Sequence, residues 1–447
     1  MDKKNGVREK IKMKSIKRLF IFVLCAIIVC FTACDLFAKE QYEISLDKQV
    51  LTMFVGEKTT VYATVSLDGQ PAEGVSVTWE SQDESIATAE KGVIKAVGFG
   101  QTKVLVKCGD SCEEILVRCV KEISAEEVNA FDEAYINIFG RYYTVDGGLK
   151  LDQTANAIEV GIIGSSLSMK LTAKGAGYIR VFVDGVETGR IEHSNGTGIY
   201  AVAQNLTDEY HVIRIVKDTE MQHCEWTVNL FSAEKFASVP EKSDLKIEFI
   251  GDSLSAGYGN LGSRGEAWSI KNSSATEAYP YKTAALLGAD YSVIAWSGIC
   301  TKVYMWGDIN MSTLYTWNSY SNREAYDFAD QPDVIVINLG TNEANYIYDG
   351  HKEYDSERMF DDYFAFLNSV RSKNPNAYII CIYGVAGEHP AIREGIEMAV
   401  ALMDDKVVFN PFEFIPNGSG AVGHPTAEAN TPWAEALAKY IEGLDIE

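Results

Sequence analysis

Apolar and polar residues alternate in short runs between residues 41 and 122. Val61 to Val65, Val75 to Trp79, Val93 to Val97 and Thr102 to Val106 each put every second side chain on one face, which predicts half-buried strands. Gly56, Asp68-Gly69, Gly74, Gly92, Gly98 and Gly100 separate them as turns. Strands this frequent, with almost no helical period, predict a small β-sandwich. The alternation continues through residues 123–240. Ile179-Arg-Val-Phe-Val runs into an Asp184-Gly185 turn, and His211-Val-Ile-Arg-Ile-Val is a second strand, so a jelly-roll or related sandwich is expected. From residue 241 the period changes. Short apolar strands at Leu245 to Ile250, Tyr291 to Trp296, Asp333 to Leu339, Ala377 to Tyr383 and Lys406 to Phe409 alternate with helical patterns at Ser356 to Ser372, Ala391 to Met403 and Thr426 to Leu444. That order predicts a parallel sheet covered on both faces, with ligands at the carboxyl ends of its strands.

The amino terminus follows a different rule. Eight Lys or Arg side chains between Lys3 and Arg18 precede fifteen apolar or small residues, Leu19 to Ala33, and then Cys34. The run is shorter than the roughly 20 residues of a spanning helix and suits a signal peptide. Phe31-Thr-Ala-Cys34 resembles a bacterial lipobox, which implies lipidation of Cys34 and a secreted, lipid-anchored protein at the cell surface or outer membrane. Simple secretion and a retained anchor are the alternatives. The expected organisation is therefore a signal at 1–33, a first sandwich at 34–122, a second at 123–240 and an α/β domain at 241–447, in keeping with a length of 447 residues.

Composition narrows the partners. The formal charge is −23, and the basic stretch at the start makes the remainder more acidic still. Such a surface argues against nucleic acid and favours neutral partners such as glycans. Cys108-Gly-Asp-Ser-Cys112 has no accompanying His or second close pair, so a hairpin disulfide or plain thiols are expected there and no metal site is proposed.

Candidate chemistry begins at Gly251-Asp-Ser253-Leu, directly after the first strand of the α/β segment. A serine at a strand end lies on the catalytic face, and the free N–H groups of a following helical turn can stabilise an oxyanion. Serine needs a base to remove its proton, and His351, His389 and His424 are the histidines that follow it. His424 stands in a Gly-rich loop (Gly418, Gly420, Gly423) before the last helix, where it can project over the strand ends. His389 ranks second, and His351 lies in a polar, solvated stretch. Gly257-Tyr-Gly-Asn-Leu-Gly262 matches GxGxxG, but Gly-Asp-Ser-Leu intervenes after the strand and a loop follows, so no nucleotide site is expected.

Taken in order, Gly251-Asp-Ser-Leu254, Ser297-Gly298, Gly340-Thr-Asn342 and His424-Pro-Thr426 resemble the conserved blocks of the SGNH (GDSL) hydrolases. The resemblance implies a flavodoxin-like three-layer domain with Ser253 as nucleophile, His424 as base, and the Ser253 amide, Gly298 amide and Asn342 side chain as oxyanion donors. With a sandwich in front, Gly140-Arg141 and Val183-Asp-Gly185, residues 123–447 are similar to carbohydrate esterase family 2, which implies deacetylation of plant polysaccharide without a cofactor. Val75 to Lys107 resembles a bacterial immunoglobulin-like domain of group 2.

Position 421 is Ala, where many SGNH hydrolases carry the acid of the triad. A Ser-His dyad is therefore expected, its imidazole oriented by a backbone carbonyl between Pro416 and Gly423. Asp252, Asp404, Asp405 and Glu413 are the acids that would form a hidden triad. Glu343 follows Asn342 where Asp is commoner. Tyr383, at a strand end, and Trp306, in the connection after Gly298, are the candidate platforms for acetylated polysaccharide or oligosaccharide. A non-catalytic surface adhesin or glycan-binding protein, and an esterase of lipid or other esters, are the competing readings.

Overall fold

A computed structural model describes residues 42–446 apart from 68, 73, 124–126, 130–135 and 414–416. The expected signal and Cys34 lie outside the described residues. The chain divides into two compact units at residues 119 and 120.

The first unit is all β. Tyr42–Leu46, Ala63–Leu67 and Gln70–Pro71 form one antiparallel sheet, and Val50–Phe54, Ser111–Val120, Gly100–Cys108 and Thr78–Ser81 a second. A third joins Lys58–Thr60, Val93–Ala96 and Ala87–Glu90. Their inward residues, among them Ile94, Val104, Val106, Ile115 and Val117, make one apolar core with Trp79 packed against it. The alternation placed these strands to within a few residues. The hairpin disulfide does not form: Cys108 pairs in register with Ser111 and is buried, whereas Cys112 pairs with Lys107 and is exposed, both as free thiols.

The second unit contains both remaining segments. Its first part is a sheet of eleven strands among the described residues, organised around the long strands Ala157–Lys174 and Glu225–Ala237. These two stay paired across a register shift between Ile163 and Leu167, which bends them together. Val216, near the end of the strand Tyr210–Lys217, and Met221, just beyond it, pack into the two cores of the following domain.

That domain holds five parallel strands, β1 (Lys246–Gly251), β2 (Asp290–Ala295), β3 (Val334–Asn338), β4 (Tyr378–Ile382) and β5 (Val407–Phe409), in the order β2-β1-β3-β4-β5. Alternate residues feed opposite faces. Ile250, Ile294, Ile335, Ile337 and Ile379 meet the helices Ser356–Lys373 and Pro390–Val400, while Phe249, Val293, Val336 and Ile380 meet Tyr279–Leu287 and Ala427–Glu442. Burial on both faces is why these strands read as continuous apolar runs. The chain passes from β1 to its neighbour β2 and then crosses to β3 on β1's other side. The crevice at the carboxyl ends of β1 and β3 is thus the switch point at which such sheets bind ligands.

Two sandwich residues fasten this unit. Arg141, fully enclosed, donates from Nη1 to the carbonyls of Tyr315 (2.8 Å) and Trp317 (3.0 Å), from Nη2 to Glu248 on β1 (3.2 Å), and lies 4.0 Å from the Tyr326 ring. Asp218 accepts from Ser274, Thr276, Arg180 and Arg190.

Candidate active site

β1 ends at Gly251, and Asp252 caps a single helical turn, Ser253–Ala256, by accepting the Leu254 N–H at 2.9 Å. A Cβ at position 251 would sit 2.0 Å from Ser255 Oγ, so only glycine lets the chain turn this tightly. Ser253, as first residue of the turn, has no carbonyl four residues back within that helix to take its N–H. At the other side of the crevice His424 precedes the last helix, and its Nε2 stands 2.8 Å from Ser253 Oγ.

Among the described residues no carboxylate bonds the imidazole. Its Nδ1 is buried, with no aligned hydrogen-bond partner among the described residues. Burial pushes the His424 imidazolium below its ordinary range, and the carbonyls of Val422 and Ala421 and then the Glu220 carboxylate offset part of that. Val422 holds φ +52°, a conformation a β-branched residue rarely adopts, within the tight turn that carries those carbonyls. His424 is accordingly neutral near pH 7 and able to accept a proton. The Tyr258 ring lies 4.7 Å from it, and Trp268 stacks on Tyr258 at 5.3 Å.

The glycines of 257–262 serve this loop and no nucleotide. A Cβ on Gly259 would come within 2.9 Å of the Ala421 carbonyl, and one on Gly262 within 2.8 Å of Ala421 Cβ.

Gly298 and Asn342 come from the ends of β2 and β3, beside Ser253 on β1. Gly298 has φ +83°, and the Trp306 indole covers it so closely that a Cβ would lie 2.9 Å from Cε3. Asn342 Nδ2 donates to the Ile299 carbonyl at 2.8 Å, and only a long 3.4 Å approach to Asp252 engages it further. Its neighbour Glu343 is buried and accepts the Thr301 N–H, so it fixes the same connection from beneath. Burial raises Asp252 to about 7, with Glu343 adding to it.

One expectation is corrected. Tyr383 is 1% exposed: its ring packs on Gly340 and its hydroxyl accepts the His389 N–H at 2.8 Å, so it is core and offers no platform. Trp306, by contrast, is 57% exposed beside Gly298. His351 stacks on Tyr346 at 3.8 Å and His389 lies against Tyr348 at 5.3 Å. Asp404 pairs with Arg371 at 2.8 Å. The sequence reading missed Glu220, whose carboxylate holds Ser297. Nothing near it in sequence marks it, because its partners come from the other domain.

Residues 138–240 match the family described as carbohydrate esterase 2 N-terminal, and residues 249–442 match the GDSL-like lipase/acylhydrolase family. In these two stretches the chain is similar to a carbohydrate esterase 2 N-terminal domain followed by a GDSL-like lipase/acylhydrolase domain. The cellulase/esterase CelE of Acetivibrio thermocellus is 27% identical over 252 residues, 55% of this chain and 30% of that protein. An acetylxylan esterase/glucomannan deacetylase of Cellvibrio japonicus is 26% identical over 54% of this chain and 71% of its own length. Among solved structures, a family two carbohydrate esterase from Clostridium thermocellum in complex with cellohexaose aligns with TM-score 0.62 and 25% identity over 69% of this chain and 98% of its own. An acetyl xylan esterase from Butyrivibrio proteoclasticus shares the fold, with TM-score 0.64 and 24% identity over 72% of this chain and 97% of its own. The region is thus similar to carbohydrate esterases of the acetylxylan-esterase kind.

Proposed function

We propose that the protein removes acetyl groups from polysaccharide through a Ser253–His424 dyad and an acyl-enzyme. The observation that carries this is the 2.8 Å contact between His424 Nε2 and Ser253 Oγ at the switch point of the sheet. Ser253 Oγ attacks the acetyl carbonyl carbon while His424 takes its proton. The carbonyl oxygen becomes an oxyanion facing the N–H groups of Ser253, Gly298 and Asn342. Collapse breaks the ester bond, and His424 returns the proton to the sugar oxygen that leaves. Water, deprotonated by His424, then attacks the acyl-enzyme, releasing acetate and restoring the Ser253 hydroxyl. The Ala421 and Val422 carbonyls orient the imidazole in place of an acid.

Exposed Trp306 beside Gly298 supports a sugar-binding role at the mouth of the site, and relatives that act on acetylxylan and glucomannan support a polysaccharide substrate. We further assign the first unit to an immunoglobulin-like spacer and residues 123–240 to a jelly-roll. Cys34 is the lipidated residue that holds the protein at the cell surface. Release of p-nitrophenol from its acetate ester tests the dyad. Ser253→Ala and His424→Ala are each expected to lower kcat by about 10⁴-fold or more, by similar amounts, because the two act as one unit. Substantial activity in a folded His424→Ala protein would overturn the dyad. Cys34→Ala should move the protein from membranes to the soluble fraction, and continued membrane retention would overturn the anchor.

A further inference from the structure

Glu220 and Gln222 hold Ser297 through three hydrogen bonds. Glu220 Oε2 accepts from the Ser297 N–H at 3.1 Å and from its hydroxyl at 2.7 Å. Gln222 Nε2 donates to the Ser297 carbonyl at 2.7 Å. That carbonyl and the Gly298 N–H belong to one planar, trans peptide unit and point in opposite directions. Fixing the carbonyl therefore aims the N–H. Glu220 is only 6% exposed, and a carboxylate this enclosed needs partners that use its charge.

We propose that Glu220, supplied by the sandwich, is a positioning residue of the esterase site. Together with Gln222 it fixes Ser297, and so aims the Gly298 N–H as an oxyanion donor. The proposal rests on the dyad reading above. Glu220 faces His223, whose Nε2 is 3.1 Å from Oε1, and its field also reaches Lys217, Tyr258 and His424. Among these described groups, Lys217 is buried in the sandwich and already bonded to the Thr219 carbonyl at 2.7 Å. His223 competes for the carboxylate only when protonated. The oxyanion forms only in the transition state, so loss of the carboxylate that fixes Ser297 slows the step with little effect on ground-state binding.

Glu220→Gln keeps the shape and one acceptor but removes the charge, whereas Glu220→Ala removes both. With the full chain and p-nitrophenyl acetate, Glu220→Gln should lower kcat by about three- to tenfold with KM nearly unchanged. Glu220→Ala should lose about 10²-fold, the scale of a displaced oxyanion donor. An inactive parent protein would count against the esterase reading, whereas an active parent beside a folded Glu220→Gln protein of wild-type kcat would count against Glu220 alone. A folded Glu220→Gln or Glu220→Ala protein altered only in KM would likewise overturn the proposal.

Discussion

Ala421 donates its N–H to the carbonyl of Gly259 across 2.9 Å, so the loop that carries His424 is fastened to the turn that follows Ser253. Nucleophile and base are thereby registered by backbone, independently of their own side chains. Gly259 has φ +65° and no room for a Cβ. Gly259→Ala is therefore expected to displace the His424 loop, lowering kcat by about tenfold or more while Tm falls by several degrees. Steady-state kinetics and thermal unfolding of the same preparation check this, and wild-type kcat would refute it.

Asp252 predicts an unusual stability profile. Its carboxyl is raised to about 7 in the folded chain from an ordinary value near 3.8. The folded state therefore holds a proton that the unfolded state releases between about pH 4 and 7, and stability falls as pH rises through that window. Asp252→Asn should flatten that part of the curve, as read by denaturant midpoints at each pH.

Asn342 and Trp306 should separate by which constant they move. Asn342→Ala removes a donor to the oxyanion and should lower kcat by about 10²- to 10³-fold on any ester. Trp306→Ala should leave p-nitrophenyl acetate turnover within a few-fold and raise KM on acetylated oligosaccharide. Equal kcat losses on both substrates in the Trp306 variant would make the indole a support for Gly298 and no sugar platform.

Arg141→Ala would leave Glu248 buried without its cation. Breaking such a pair costs about 3–5 kcal/mol, so the denaturant midpoint should fall sharply. Arg141→Met combined with Glu248→Gln should recover part of the loss, since neither residue then carries an unpaired charge.

The strands and helices were legible because burial on one or two faces imposes a period, and Ile179 to Val183 or Val334 to Asn338 could hardly read otherwise. Ser253, Gly298, Asn342 and His424 were legible because each closes a strand or opens a helix, in an order that a known family shares. Tyr383 misled for the same reason: a strand end gives the position of a residue but not whether its ring points out of the crevice or onto Gly340. Glu220 was invisible, because its meaning lies in contacts to Ser297, 77 positions away, that no local pattern encodes. At Cys108 and Cys112 it is the plain-thiol alternative that the structure shows, because the two side chains take opposite faces of the hairpin, Cys108 buried and Cys112 exposed.

Met221 completes the core of a domain that begins some twenty residues after it in the chain. Recombination that exchanged catalytic domains at residue 240 would leave a hole where that side chain packs and would strip the Ser297 peptide of both its supports. In this chain the eleven-stranded sheet and the α/β domain therefore make one packing unit. The two can diverge only as a pair, each accepting changes that the other has already accommodated.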